Sequence, residues 1–383
     1  MRKIENWSHF ALAGNSCMVL CALNVMEEGM VVAMSEILEI DVNFAVKTKL
    51  DKDDLHYYNV LEKPFSIYGI FMENDRFTRL PKNVAESVSD GVLYLSTNTA
   101  GGRVRFKTNS QYVAIYAEID KPGKMPHFPY TGSIGFDLYE YSAENEIYKG
   151  TIVPPVDVEN EFEGIVEFQN MKMRDITVNF PLYSDVKKLY IGLSKEATVK
   201  APRKYKIMKP IVYYGSSITQ GGCASRPGNS YQAIISRKFD CDFINLGFSG
   251  NAKGEKEISE YIKRLDMSIF VYDYDHNAPT VEHLSDTHER MFNEIRVANP
   301  GVPIIIMSRP KYYLSDEEKE RLQIIKNTYI NACNSGDNNV FFIEGPKLME
   351  LAKGEGTVDD CHPNDLGFWS IAECLSNIIE KVI

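Results

Sequence analysis

Ile211-Val212-Tyr213-Tyr214-Gly215-Ser216-Ser217-Ile218-Thr219-Gln220-Gly221-Gly222 is the stretch on which the reading of this chain turns. An apolar run ends on a glycine, and hydroxyls, an amide and two more glycines follow at once. A short run rich in Ile, Val and Tyr suits a strand buried on both faces of a parallel sheet. Ligands of an open parallel sheet bind beyond the carboxyl ends of its strands, where the polar part of this stretch falls. Downstream, similar runs recur at 242–248, 268–274, 302–307 and 339–343. Amphipathic stretches at 255–265, 281–298 and 316–333 separate them, and another, 365–383, closes the chain. These β-α units predict an α/β domain over 205–383: a doubly wound parallel sheet with helices on both sides.

Upstream of residue 205 the period changes. Val104 and Phe106 alternate with Arg103, Arg105 and Lys107, the pattern of a half-buried strand. Thr108-Asn109-Ser110 reads as a turn, and Tyr112 to Ile119 as the returning strand. Further runs at 134–141, 147–153, 164–169, 174–180 and 187–193 lie between polar or Gly/Pro turns. Short strands at this spacing predict an N-terminal antiparallel β-sandwich or jelly-roll domain over 50–200. The segment 196–210, with Lys200, Arg203, Lys204 and Lys206 around Pro202, reads as a linker. Residues 1–49 fit neither pattern and receive no role.

A length of 383 residues favours two or three domains, each able to bury a core. The net charge of -11 repels phosphates and anionic lipid heads, which argues against nucleic acid and membrane surfaces as partners. Seven cysteines, an odd number with no CxxC pair, argue for free thiols in a reducing compartment. The N-terminal MRKIENWSHFALAGNS is interrupted by Glu5, Asn6 and His9, and is read as neither signal peptide nor membrane span. The expectation is a cytoplasmic protein.

The chemistry collects where the strands end. Gly215 to Gly222 follows the first, Gly247-Phe248-Ser249-Gly250-Asn251 the second, Asp275-His276-Asn277 the third and Ser308-Arg309-Pro310 the fourth. Past the fifth comes Asp359-Asp360-Cys361-His362-Pro363. These are the parts of a nucleophilic acyl-transfer site. A serine hydroxyl needs a base within hydrogen-bond reach, and a histidine titrating near neutrality suits that task. A carboxylate fixes the histidine's tautomer, while backbone N–H groups and a side-chain amide can hold a tetrahedral oxyanion.

GSSIT, NLGFSGN, DHNAP and DDCHP resemble the four blocks of the SGNH/GDSL hydrolase superfamily, over roughly 205–383, which implies a flavodoxin-like sheet with strand order 2-1-3-4-5. The resemblance implies Ser217 as nucleophile, Asp359 and His362 as the family's DxxH pair, and Ser217, Gly250 and Asn277 as oxyanion-hole donors. Ser216 stands where the wider family has Asp. Gly135-Phe136-Asp137-Leu138-Tyr139 resembles the GxDLY signature of a subgroup with an N-terminal β-sandwich, similar to acetylxylan esterases. That implies a serine esterase acting on short, chiefly acetyl, esters of carbohydrates. It needs neither metal nor organic cofactor, and its partner is a small-molecule or oligosaccharide ester.

Each of these residues also has a plainer reading. Ser217 caps a helix or lines a turn, although the next helix is expected only near Ser230. Asp360 competes with Asp359, Gly250 suits a tight turn, and Asn277 is a turn residue before Pro279. His276, His283 and His288 raise a metal site, but a spacing of five does not put the last two squarely on one helix face. Gln220, Arg226 and Arg309 are candidate substrate-binding residues, Arg309 equally a structural ion pair. The resemblance adds His127, in the loop Met125-Pro126-His127-Phe128. Three rival functions stand: a lipase or thioesterase, an acyltransferase on the same site, and a non-catalytic carbohydrate-binding protein. Arg226 and Asn229, close after Ser217, favour polar substrates over the first.

Overall fold

The computed structural model describes residues 50–142 and 145–383; the unassigned segment 1–49, with Cys17 and Cys21, lies outside the described residues. Strands β1 (Leu55–Asn59), β2 (Ser66–Tyr68), β3 (Phe71–Glu73) and β4 (Arg76–Thr78) come first, followed by helices α1 (Lys82–Val88) and α2 (Asp90–Ser96). Next are β5 (Arg103–Thr108), β6 (Tyr112–Asp120), the single turn α3 (Tyr130–Ser133), β7 (Phe136–Ser142) and β8 (Asn145–Ile152). Then come β9 (Glu161–Glu167), β10 (Arg174–Asn179), β11 (Asp185–Ser194) and β12 (Val199–Lys200). One antiparallel sheet runs β1-β11-β6-β9; the other runs β12-β5-β10-β7-β8, with β2 on β5. Their alternate residues, among them Val104, Phe106, Val113, Ile115, Ile176, Val178 and Ile191, share one core.

The second half carries β13 (Ile207–Gly215), α4 (Ser217–Gln220), α5 (Tyr231–Phe239), β14 (Cys241–Gly247), α6 (Lys256–Ile262) and β15 (Ile269–Asp273). It continues through α7 (Val281–Ala298), β16 (Ile304–Met307), α8 (Asp316–Asn334), β17 (Val340–Ile343), α9 (Gly345–Leu348) and α10 (Asp365–Val382). All pairings in its sheet are parallel, in the order β14-β13-β15-β16-β17, the expected 2-1-3-4-5. The apolar run of β13 is unbroken because both its faces are covered. Ile211 and Tyr213 face Phe368, Ile371 and Leu375 of α10, whereas Val212 and Tyr214 face the opposite layer.

That opposite layer departs from the sequence reading. Leu80, Ala85, Val92 and Leu95, around the unpredicted helices α1 and α2, pack in one core with Val212, Tyr214, Leu246 and Phe248. From Thr48 onward the chain forms one compact unit. Arg79, fully buried, ties the halves: it donates to Gly247 O at 2.7 Å, Asn245 O at 3.0 Å, Leu95 O at 2.7 Å and Asn98 O at 2.6 Å. Burial lowers its guanidinium to about 9. Arg103 and Arg105, expected on an exposed strand face, are also buried. Arg103 pairs with Asp242 and lies 3.8 Å from the Phe243 ring centroid, and Arg105 lies 4.0 Å from that of Tyr205. The second half and the connecting segment cover the face that periodicity alone leaves to solvent.

Candidate active site

Parallel pairing puts the ends of three strands level, with Gly215 opposite Gly247 on one side and Asp273 on the other. The loops beyond them therefore share one edge. Ser216 caps α4, its Oγ accepting from Ile218 N at 3.2 Å, so Ser217 opens the helix. This helical turn begins earlier than expected, and its cap uses the Ser216 hydroxyl and leaves that of Ser217 free of it. Ser217 Oγ lies 2.9 Å from His362 Nε2. His362 Nδ1 lies 2.7 Å from Asp359 Oδ2. An ionised carboxylate only accepts, so Nδ1 carries the proton and Nε2 presents its lone pair to the serine.

Asp359 is fixed by more than the ring. Its Oδ1 accepts from His362 N at 2.7 Å and Cys361 N at 3.1 Å. Partial burial pushes the carboxyl up, but the bonds from His362 outweigh that and hold it below the usual range. The loop closes on itself through Val358 N to His362 O, 2.9 Å. Asp360 turns away, in the left-handed region at φ 66°, and pairs with Lys311 at 2.7 Å.

Gly250, also left-handed at φ 67°, has nothing within 4 Å of where a Cβ would sit. Its N–H has no acceptor among the described residues. The first N–H of a helix likewise has no intrahelical partner, which leaves Ser217 N available. Asn277 ends a short 3-10 turn, and its amide donates to Phe248 O at 2.9 Å, tying the loops after β14 and β15 together. His127, exposed, brings its ring to 5.8 Å from that of His362.

The model of the GDSL-like lipase/acylhydrolase family matches residues 208–380, and that of the N-terminal GxDLY domain of SGNH-type esterases matches 55–199. The chain belongs to the SGNH/GDSL hydrolase superfamily, in the GxDLY subgroup. It is an enzyme of the esterase class. The structure is similar to a candidate GDSL-like lipase from Bacteroides ovatus, at 28% identity and TM-score 0.78, covering 86% of this chain and 98% of the other. A salicylyl-acyltransferase from a tetracycline biosynthetic pathway matches at 17% identity and TM-score 0.68 over 86% and 98% of the two chains. An acetyl xylan esterase from the rumen bacterium Butyrivibrio proteoclasticus matches at 12% and 0.55 over 85% and 98%. No curated protein matches.

In this SGNH hydrolase the GxDLY motif holds the loop after α4. Asp137 Oδ2 accepts from Gly228 N at 2.8 Å and Arg226 Nη1 at 3.0 Å, and Arg226 also donates to the Tyr139 hydroxyl. Arg226, expected to bind substrate, is thus committed to the motif. Asn229 donates to Asp365 at 2.8 Å, so neither residue supports the inference of a polar substrate. Gln220, the second expected substrate contact, is fully buried. Its amide donates to Asn98 Oδ1 and Leu182 O, and its Oε1 accepts from Ser249 N at 3.0 Å. Arg309, the third, holds Asp275 at 3.2 Å and Glu318 at 2.8 Å. Arg321 holds Asp275 as well, so the pair braces the turn that carries Asn277. A polar residue near the nucleophile in sequence, or at a strand end as Arg309 is, carries no sign of which way it faces, and all three face the protein.

The histidines His276, His283 and His288 go to separate partners: Cys361 Sγ at 3.6 Å, Lys253 O at 2.8 Å and Thr328 Oγ1 at 2.8 Å. Burial lowers His276 to about 4 and His288 to about 3. Sequence reasoning missed three residues at the site. Tyr183, from the β-half, donates its hydroxyl to Ser217 O at 3.2 Å. Gly222 sits where a Cβ would meet His362 Cδ2 at 3.3 Å, and the paired glycines were the only signal of that approach. Cys223 places its thiol beside His127 and His362, the ligating atoms of the three lying within 4.8 Å of one another. Cys223, Cys241, Cys333, Cys361 and Cys374 are free thiols.

Proposed function

We propose that this enzyme hydrolyses short acyl esters, chiefly acetyl esters of carbohydrates, through an acyl-enzyme on Ser217. The observation that carries the reading is the relay from Ser217 Oγ to His362 Nε2, 2.9 Å, and from His362 Nδ1 to Asp359, 2.7 Å. Ser217 Oγ attacks the ester carbonyl carbon as its proton passes to Nε2. The oxyanion is held by N–H of Ser217 and Gly250 and by the amide of Asn277, whose second N–H is not needed for Phe248. The imidazolium, stabilised by Asp359, protonates the leaving alcohol. Water then gives a proton to Nε2 and attacks the acyl carbon; the bond to Oγ breaks, the acid leaves, and Nε2 returns the proton to Ser217 Oγ.

The carbohydrate acetyl ester is drawn from the GxDLY signature and from fold neighbours whose own names are those of carbohydrate esterases. The test is the rate on a chromogenic acetate ester. Ser217→Ala is expected to abolish hydrolysis, a loss on the order of 10⁴-fold or more. Ser216→Ala removes only a helix cap, costs about 1 kcal/mol of stability and leaves most of the activity. An active Ser217→Ala variant beside a dead Ser216→Ala would sink the assignment.

A further inference from the structure

We propose that His127, Cys223 and His362 form a binding site for a thiophilic divalent cation, zinc above all, and that its occupation shuts the ester-hydrolysing site. Their ligand atoms lie within 4.8 Å of one another. Two imidazoles and a thiol are the donors that zinc prefers, and magnesium or calcium would demand oxygen ligands instead. Around a tetrahedral zinc, neighbouring N and S ligands stand about 3.5 Å apart, so one side chain must move by about 1 Å. His127 is exposed in a loop and has that freedom; Cys223 and His362 are held.

Two further features prepare the site. A zinc-ligating histidine commonly donates its other ring N–H to a carboxylate, which fixes the ring and raises its basicity. His362 already does so through Asp359 at 2.7 Å. Cys223 adopts a left-handed backbone at φ 74°, a conformation that a non-glycine residue holds at a cost. The strain turns a buried thiol toward the two histidines, and that thiol has no hydrogen-bond partner among the described residues. With Nδ1 engaged, His362 can offer the metal only Nε2, the atom that faces Ser217. The thiol proton leaves to solvent on binding, and the fourth metal position falls to Ser217 Oγ or water. Binding rests on ligand geometry alone; the loss of activity rests on the reading of His362 as the base.

The test uses the whole enzyme, stripped by a chelator and dialysed. Zinc is titrated by calorimetry, and cobalt by its thiolate charge-transfer absorption in the near ultraviolet. Rates on a chromogenic acetate are followed in parallel. One equivalent is expected to bind, with activity falling in step with occupancy and returning on addition of EDTA. Cys223→Ser and Cys223→Gly, the second of which suits the left-handed backbone, should keep metal-free activity. Both should lack the charge-transfer band and need at least about tenfold more zinc, since losing even a group that only hydrogen-bonds a ligand costs about 10–100-fold. Absence of the band in the unmodified enzyme, or unchanged zinc sensitivity in both variants, would overturn the site. Binding without inhibition would overturn the shut-off. A metal-free enzyme inactive on every ester would instead sink the hydrolase reading and leave the binding result standing.

Discussion

Replacing Asp359 by Asn should cost about four orders of magnitude in kcat while the fold survives. Asp359 accepts from three donors: His362 N at 2.7 Å, Cys361 N at 3.1 Å and the His362 ring at 2.7 Å. An asparagine can keep its carbonyl oxygen on the two backbone donors. Its amide then stands where Oδ2 was and donates to Nδ1, which must give up its proton. The proton moves to Nε2, which now donates toward Ser217 and can no longer accept from it. The known cost of this wrong tautomer in serine hydrolases of the same design is about 10⁴-fold, or about 5.5 kcal/mol. Asp359→Ala should lose as much activity. It also strands two backbone N–H groups, each worth about 1 kcal/mol if water reaches it only partly. The assay is steady-state hydrolysis of a chromogenic acetate with thermal denaturation alongside. The expected pattern is an inactive Asn variant with a nearly unchanged melting midpoint, and an inactive, less stable Ala variant. An Asn variant keeping more than about a tenth of the activity would refute the tautomer argument.

Asn277→Ala should lower kcat roughly 10²–10³-fold with little change in KM, and Asn277→Asp should be at least as harmful because it sets a negative charge against the oxyanion. Asp137→Ala leaves Arg226, Gly228 N and Asn179 without their acceptor. It should cost about 3–5 kcal/mol, read as a lowered denaturant midpoint, with Asp137→Asn milder. Rates should fall from acetyl to butyryl to octanoyl esters, and a rise with chain length would point to a lipase. Burial holds His276 at about 4 and His288 at about 3, below the ordinary 6.5. Between those values the unfolded chain binds more protons, so stability should fall as pH drops from about 6.5 toward 4. Melting midpoints across that range check it, and His288→Asn should flatten the slope.

The parallel sheet was legible because its strands are buried on both faces and leave unbroken apolar runs, each followed by polar loops. Ser217, Asp359 and His362 were singled out by the resemblance of GSSIT and DDCHP to the family's blocks, and the fold brings the three within hydrogen-bond reach of one another. Helices α1 and α2 were not: each is a seven-residue helix within a stretch that otherwise reads as β, too short for a clear helical period. Gln220, Arg226 and Arg309, candidate substrate contacts in the sequence, turn instead to partners within the protein, Arg309 to the ion pair that was its alternative. Nearness in sequence to a nucleophile, for Gln220 and Arg226, or a place at a strand end, for Arg309, says nothing of direction, and each found buried partners from a distant segment.

Sequence periodicity thus determined the period of each half and the residues gathered at the strand ends, while the order of the α/β strands came from the family resemblance. The first two follow from local alternation and from the rule that parallel strands present their loops on one edge. Tertiary structure alone decided three things: which serine hydroxyl is consumed by a helix cap, that the GxDLY motif grips the loop carrying Arg226, and that Cys223 stands beside His127 and His362. The cap is a local contact, Ser216 Oγ to Ile218 N, whereas the other two depend on contacts between segments far apart in the chain. Such contacts are set by packing and by the pairing of buried polar groups, which leave no periodic trace in the sequence.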